Sequence, residues 1–574
     1  MTTRSSLVLL GALLVAILSP VSRARAADQV VSDCGDSGGA NQLRAKITAA
    51  QSSGGGTITF TCGPAIIVAT TQLPFITGSV TIDGGGTIQL SGGNTVRVFF
   101  VNGGSLTLRN ITVRNAWAGN AGGAIRVDVG QLVASDTTIQ DSASTDEGAG
   151  IYSDFGGITL ENVTVKGNHA GTSGGGIYAR GSFVFLTNVT ISDNSSDTSG
   201  GGITLDGAGL RWTGGELYGN YALSGGGLRI VNTIFTDARD ARMTLVDVAS
   251  NAAINGSGGG ILLEAGPTLL IFRDGSISGN GAFTGGGVMQ SGIFEATNAL
   301  FRQNNAFIRG GAVHAMDGVT TIENSTFVEN GSADAGNPFG GGGIYHQGGS
   351  TTLQNVTMRA NTSKAGGNVF RAVGGLTLRN TLLSKASGVA ASTNCNTTIG
   401  GSFNLADDST CGFGVGRDGY PDLGLGALAD NGGPTETILP EPDSPAVDGG
   451  TTTGCPATDQ RGASRPQGAA CDVGAVEVCS NPPPVPAAVK PLDGRKAKGP
   501  SVTLEWSDSA CTNKYDVLVR SGSPTGTIAF RKRKLRVPTV QTSPLVVGQT
   551  YFWRITARGP GGRTKSSWYE LKVK

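Results

Sequence analysis

The stretch 172-TSGGGIYARGSFVFLTNVTISDN-194 is answered by 198-TSGGGITLDGAGLRWTGGELYGN-220. Both hold a triple glycine, a short run opening on an apolar residue, a second alternating run and a closing asparagine. Aligned on the apolar residue after the glycines, the chain repeats at Ile125, Ile151, Ile177, Ile203, Leu228, Ile261, Val288, Val313, Ile344 and Val369. The intervals are 26, 26, 26, 25, 33, 27, 25, 31 and 25 residues. The closing asparagine recurs as Asn168, Asn194, Asn220, Asn304, Asn330 and Asn361. Three short strands in about 25 residues, with Gly or Asn at the corners, describe one coil of a right-handed parallel β-helix. A single coil cannot bury its inner face, but coils stacked about 4.8 Å apart share one core. Glycine supplies positive-φ corners and asparagine tolerates them. Asparagines at equivalent corners predict a stacked amide ladder. The two long intervals predict insertions over 236–243 and 331–339. Residues 78–110 read as earlier, less regular coils and 374–388 as a late one. No helical periodicity lies between the strands, which excludes TIM-barrel and Rossmann folds.

The rest of the 574 residues is organised around this solenoid. The 93 glycines and low aromatic and charged fractions suit tight turns and small packed side chains. A net charge of +1 implies no nucleic-acid or membrane field. Arg4, the apolar run 7–18 and Ala24-Arg25-Ala26 form a secretory signal over 1–27, and no later run is long enough to span a bilayer. Eight cysteines, none between Cys62 and Cys395, place disulfides at the two ends of an exported chain. Pairing neighbours gives Cys34 with Cys62, Cys395 with Cys411, Cys455 with Cys471 and Cys479 with Cys511, one of about 105 connectivities. No CxxC is present, against a zinc site. The expected layout is an N-terminal cap over 28–64, coils over 65–400, a C-terminal part of the helix over 401–480, a Pro-rich linker over 481–499 and a β-sandwich over 500–574.

Several segments resemble known families. GGAI at 122–125 and GGAV at 310–313, with Phe301 before Asn304 and Phe327 before Asn330, resemble polymorphic outer-membrane-protein repeats, which are β-helical surface passengers. "DCGDSGGANQLRAKITAAQSSGGGTITF" (33–60) is similar to the cap before such helices. Residues 430–477 resemble the choice-of-anchor Q segment of exported β-helix proteins. These likenesses span roughly 30–477 and imply a bacterial envelope, secreted or cell-surface location. No β-barrel follows, so self-translocation is not implied. The C-terminal strands, with Trp506 early and Tyr551 and Trp553 late, resemble a fibronectin type III domain, usually a spacer or binding module.

Candidate chemistry lies in what the coils expose. No Gly-Lys-Ser/Thr follows the glycines and no helix dipole faces them, so they are not a phosphate loop. Residues one and three beyond the aligned apolar position point outward. One outward ladder reads Arg126, Tyr152, Tyr178, Thr204, Arg229, and its neighbour reads Asp128, Asp154, Arg180, Asp206. Tyr152, Tyr178, Asp128, Asp154, Arg180 and Asp206 are the candidate ligand-binding residues for a sugar. Within them Asp154, Arg180 and Asp206 are candidate catalytic groups: Arg180 as the base of a β-elimination, with carboxylates or calcium neutralising a uronate. The structural alternative is that opposite charges on adjacent coils simply offset each other. The dense aspartates of pectate-lyase calcium sites and the Gly-His-Gly of polygalacturonases are absent. His314, Met316, Tyr345 and Gln347 form a second outward patch, and His169 lies near a corner; both read as ordinary surface. The basic run RKRKLR (531–536) reads as solvated strand, or as a contact for anionic glycan or lipid. The sequence thus leads to a non-enzymatic adhesin or surface scaffold. It implies no cofactor or metal, polysaccharide or a host or neighbouring cell surface as partner, no nucleic acid, and no transmembrane segment once the signal is removed. A polysaccharide lyase or glycosidase, and a purely structural spacer, are the alternatives.

Overall fold

The structure, a computed structural model, describes residues 26–232, 240–333, 340–387, 392–512, 514–559 and 561–574. Almost all of the signal expected over 1–27 therefore lies outside the described residues. From Gln29 to Ala406 the chain winds as a right-handed parallel β-helix with three faces. The front face is an 11-stranded sheet of three- and four-residue strands, such as Ile125–Asp128, Ile151–Asp154, Ile177–Arg180 and Ile203–Asp206. The long face is a 22-stranded sheet with strands of up to 13 residues, among them Phe183–Ser192 and Gly209–Tyr218. The short face is a nine-stranded sheet, mostly of two-residue strands such as Ala143–Ser144 and Tyr221–Ala222. Ile125, Ile151, Ile177, Ile203, Leu228, Ile261, Val288, Val313, Ile344 and Val369 are direct cross-coil partners, as the repeat requires. Their side chains are fully buried in one continuous core. In the later coils that core is aromatic: Phe301 stacks on Phe327 at 4.2 Å, and Phe294 meets Phe301 edge-on.

Each glycine of the corner triplet answers a different constraint. Gly174 has φ +67°, and a Cβ there would lie 2.8 Å from Tyr178 Cβ. A Cβ on Gly175 would sit 2.2 Å from the Ser195 carbonyl oxygen of the next coil, and one on Gly176 would approach the Gly202 oxygen at 2.7 Å and the Asn194 amide at 3.1 Å. Only the absence of a side chain lets consecutive corners nest. Against the third glycine runs the amide ladder. Asn168, Asn194, Asn220, Asn251, Asn280, Asn304, Asn330 and Asn361 each donate from Nδ2 to Oδ1 of the next member at 2.7–3.0 Å, Asn361 handing on to Asn368 and Asn368 to Asn394. All are buried. Asn251, Asn280, Asn368 and Asn394 join the six asparagines expected from the repeat.

The ends are closed as small solenoids need. The helix Leu43–Ser52 buries Leu43, Ile47 and Ala50 on the first coil, beside the Cys34–Cys62 disulfide. All four disulfides join sequence neighbours: Cys34–Cys62, Cys395–Cys411, Cys455–Cys471 and Cys479–Cys511.

Four expectations need correcting. The insertion placed over 236–243 is shorter, because Ala241–Ala249 is a regular long-face strand; residues 233–239 lie outside the described residues. Likewise Gly331–Ser332 is a short-face strand, and 334–339 lie outside them. Residues 401–480 do not continue the coils to their end. After Leu405–Ala406 the chain doubles back along the outside of the long face. There Gln460 accepts from the Thr326 hydroxyl at 2.7 Å and donates to the Ala299 carbonyl, Asn324 donates to Thr458, and the Ala475 amide donates to Thr357. Ile438 covers Leu300 and Val328. The charged residues of this strap turn inward: Asp459 pairs with Arg461 at 2.8 Å and Arg465 with Glu477 at 3.0 Å, all at most 2% exposed. Finally, the expected linker 481–499 supplies two strands, Ala488–Lys490 and Arg495–Ala497, to the terminal β-sandwich. That sandwich encloses Trp506, Tyr515, Val517, Tyr551, Trp553, Ile555 and Leu571, and Cys479–Cys511 ties it to the strap.

Candidate functional site

The front-face register sets the predicted ladders side by side. Arg126, Tyr152, Tyr178, Thr204 and Arg229 are successive partners, as are Asp128, Asp154, Arg180 and Asp206. Arg180 meets Asp154 in a bidentate pair, Nε to Oδ1 at 2.8 Å and a terminal nitrogen to Oδ2 at 2.6 Å. Arg126 pairs with Asp128 within its own strand at 2.9 Å. Asp206 accepts from the Tyr178 hydroxyl at 3.2 Å and from Asn232 at 2.9 Å. Arg229 is taken by Glu264 at 2.6 Å. Every charge in the two ladders thus has a partner.

The tyrosines differ from the exposed platform that alternation alone suggests. Their rings stack in parallel at 5.6 Å, but Tyr152 is 6% and Tyr178 9% exposed. The corner before each strand turns back over the second strand position, so an outward-pointing residue is covered by its own coil's first glycine. The same column is buried further along, at Leu262, Met289, His314 and Tyr345. His314, read from sequence as surface, is 3% exposed and holds Gln347 at 3.0 Å. Burial pushes its pKa down to about 4. Burial also raises the Tyr178 phenol, helped by the Asp206 carboxylate. The hydrogen bonds that Arg180 donates to Asp154 push its guanidinium above its already high value. A general base needs its pKa brought toward working pH, and Arg180 is driven away from it.

Two features of the outer surface were not read from sequence. On the short face, four consecutive coils carry an alanine followed by a large apolar residue: Ala222–Leu223, Ala253–Ile254, Ala282–Phe283 and Ala306–Phe307. The large residues are 46%, 58%, 41% and 61% exposed, and Phe283 stacks on Phe307 at 5.4 Å. Elsewhere the same position holds Gly119, Thr145, Gly171, Asp197 and Ala333. The strip is therefore local, not a demand of the fold. The signal was present as the Ala-apolar dipeptide, but strands of two residues give no period to detect. On the long face a shallow groove of about 340 Å³ is lined by Glu216, Tyr218, Asp247 and Ser276. Glu216 and Asp247 are direct partners on adjacent coils, and Ser276 donates to Asp247 at 2.6 Å. Among the described residues no group of three or more His, Cys, Asp or Glu side chains is placed to hold a metal ion.

A family model described as "Right handed beta helix region" matches residues 97–306. Among solved structures the chain is similar to one titled "Crystal structure of pectate lyase Pel9A", with 13% identity and a TM-score of 0.26 over 78% of this chain and 96% of that chain. At that level the enzyme's chemistry does not transfer. No curated protein matches the sequence. No helix among the described residues is long and apolar enough to cross a membrane.

Proposed function

We propose that this chain is an exported, non-enzymatic β-helix that serves surface interaction, with a fibronectin type III-like module at its C-terminal end. The observation that carries it is the exposed strip Leu223, Ile254, Phe283 and Phe307. A soluble surface that gathers large apolar residues on four consecutive coils marks a contact surface. The ionic front ladder supports the same reading, because its charges are spent on one another. Four disulfides suit an oxidising compartment. The segment that resembles choice-of-anchor Q uses its charged residues internally, to hold itself on the coils.

The test is binding of the mature protein to whole cells and to a glycan array, beside Phe283→Ser/Phe307→Ser. Loss of cell binding in the variant with an unchanged circular dichroism spectrum is the expected result. The carboxylate pair Glu216 and Asp247 gives the enzyme alternative its own arm. Turnover of a uronate or neutral glycan that Glu216→Gln abolishes would replace this reading by a hydrolase or lyase working in the long-face groove.

A further inference from the structure

The net charge of +1 conceals a division within the chain. Residues 481–574 hold 17 Lys and Arg against five Asp and Glu, a net charge of +12, so residues 1–480 carry −11. Among the described residues only three of the 17 cations form ion pairs: Lys490 with Glu505, Arg558 with Asp516 and Lys572 with Glu570.

The excess is displayed on one side of the sandwich. In the larger sheet Tyr515, Val517 and Val519 of Lys514–Ser521 point to the core, so Leu518 and Arg520 point out. Cross-strand partners share a side. Arg531 faces Leu518 and Leu518 faces Arg554; Lys514 faces Arg558 and Arg558 faces Arg563; Lys565 faces Thr556. These cations line the outer surface of four adjacent strands, about 4.8 Å apart. At the sheet edge, strand Ile528–Leu535 also carries Lys532, Arg533 and Lys534, all exposed, though Lys532 is opposite Val517 and so lies on the other side. Charges on an edge strand commonly serve to block edge pairing. That account reaches Lys532 to Lys534 but not Arg554 or Arg558, which lie on the inner strand Thr550–Gly559.

We infer that the outer face of this sandwich binds a linear acidic polysaccharide, through charge complementarity across its strands. The choice among polyanions rests on chemistry. The apolar positions of the face, Leu518, Phe552 and the more exposed Ile528, lie among the cationic side chains, and Arg554 sits over the Trp568 ring at 4.5 Å. Arginine outnumbers lysine on this face, and the planar guanidinium suits carboxylate and sulfate in bidentate contact. The inference stands apart from the short-face strip and survives its failure.

The experiment titrates the full mature protein with polygalacturonate, heparin, neutral dextran, a short DNA duplex and phosphatidylglycerol vesicles. The expected result is binding to the two acidic polysaccharides and none to dextran, weakened at least about tenfold between roughly 50 and 200 mM salt. Arg531→Ser/Arg533→Ser and, separately, Arg554→Ser/Arg563→Ser should each weaken binding at least about fivefold and flatten the salt slope. Lys166→Ser, on the helix, should leave both unchanged. Equal binding of dextran, no binding, or indifference of both double variants would overturn the proposal. Tighter binding of DNA or vesicles would overturn the ligand class. Salt-sensitive self-association, seen by sedimentation without added polymer, would reassign the face to the acidic helix of a second copy. A charge-reversal variant, Arg554→Glu, covers the case in which a double variant misfolds.

Discussion

Removing one rung of the amide ladder measures how much it holds. Asn251 is 1% exposed and its side chain takes part in four hydrogen bonds. Its Nδ2 donates to Asn280 Oδ1 at 3.0 Å and to the Leu217 carbonyl at 2.8 Å, while its Oδ1 accepts from the Asn220 backbone and side-chain nitrogens, both at 3.0 Å. In Asn251→Ala the Asn220 side chain still donates to Ile191 and Tyr218. Asn280 Oδ1 still accepts from the Asn251 backbone. Two groups lose the Asn251 side chain as partner: the Asn220 N–H and the Leu217 carbonyl oxygen. At about 1–2 kcal/mol per buried orphan, the expected loss is about 3 kcal/mol. Because each coil contacts only its neighbours, the loss should be local. Hydrogen exchange should rise by roughly 100-fold at amides of the coils around 217–222 and 249–254, and change little in the coils before Ile151. Exchange faster by under about threefold, or spread evenly over the helix, would refute the view that the asparagines fasten adjacent coils.

Further outcomes follow from the same geometry. Gly175→Ala, which places a Cβ 2.2 Å from the Ser195 oxygen, should cost at least about 3 kcal/mol in urea unfolding, and Gly400→Ala, with open space around it and no positive φ, far less. Burial, then the Glu477 charge, raises Asp472 from 3.8 to about 6. The native state therefore holds the extra proton between those values, and the strap's stability should fall by about 3 kcal/mol as pH rises through that window, a slope that Asp472→Asn removes. His314, lowered from 6.5 to about 4, acts in the opposite sense. Its contribution is complete above 6.5 and is lost as pH falls toward 4, and its ring resonances should stay those of a neutral imidazole down to about pH 5. Arg97 hydrogen-bonds the Ala121 and Gly122 carbonyls at 2.8 and 2.6 Å, so Arg97→Ala should loosen the first corner, by about 2 kcal/mol in local exchange.

The solenoid was legible because its period is enforced by contacts that no other residue satisfies: Gly175 has no room for a Cβ, and Asn194 must bond above and below. The in–out alternation of Ile177 to Arg180 was legible too, and it put Asp154, Arg180 and Asp206 in register. Exposure was not. Whether Tyr178 sees solvent depends on a corner that turns back over it, and pleat direction says nothing of that. The strap was hidden for another reason. Its Asp459, Arg461, Arg465 and Glu477 look like surface charge, and only their mutual pairing allows them into the interior. The basic sandwich was masked by arithmetic, since the acidic helix offsets it in the total.

The strap also decides how the molecule carries load. A plain stack pulled from its last coil would peel one rung at a time, each rung opposing the force alone. Here the sandwich hangs from Cys479, and the residues just before it grip coils as far back as Ala299 and Thr326. Tension applied to the terminal module therefore enters the solenoid in shear, across several rungs together, and bypasses the exposed end where unzipping would begin.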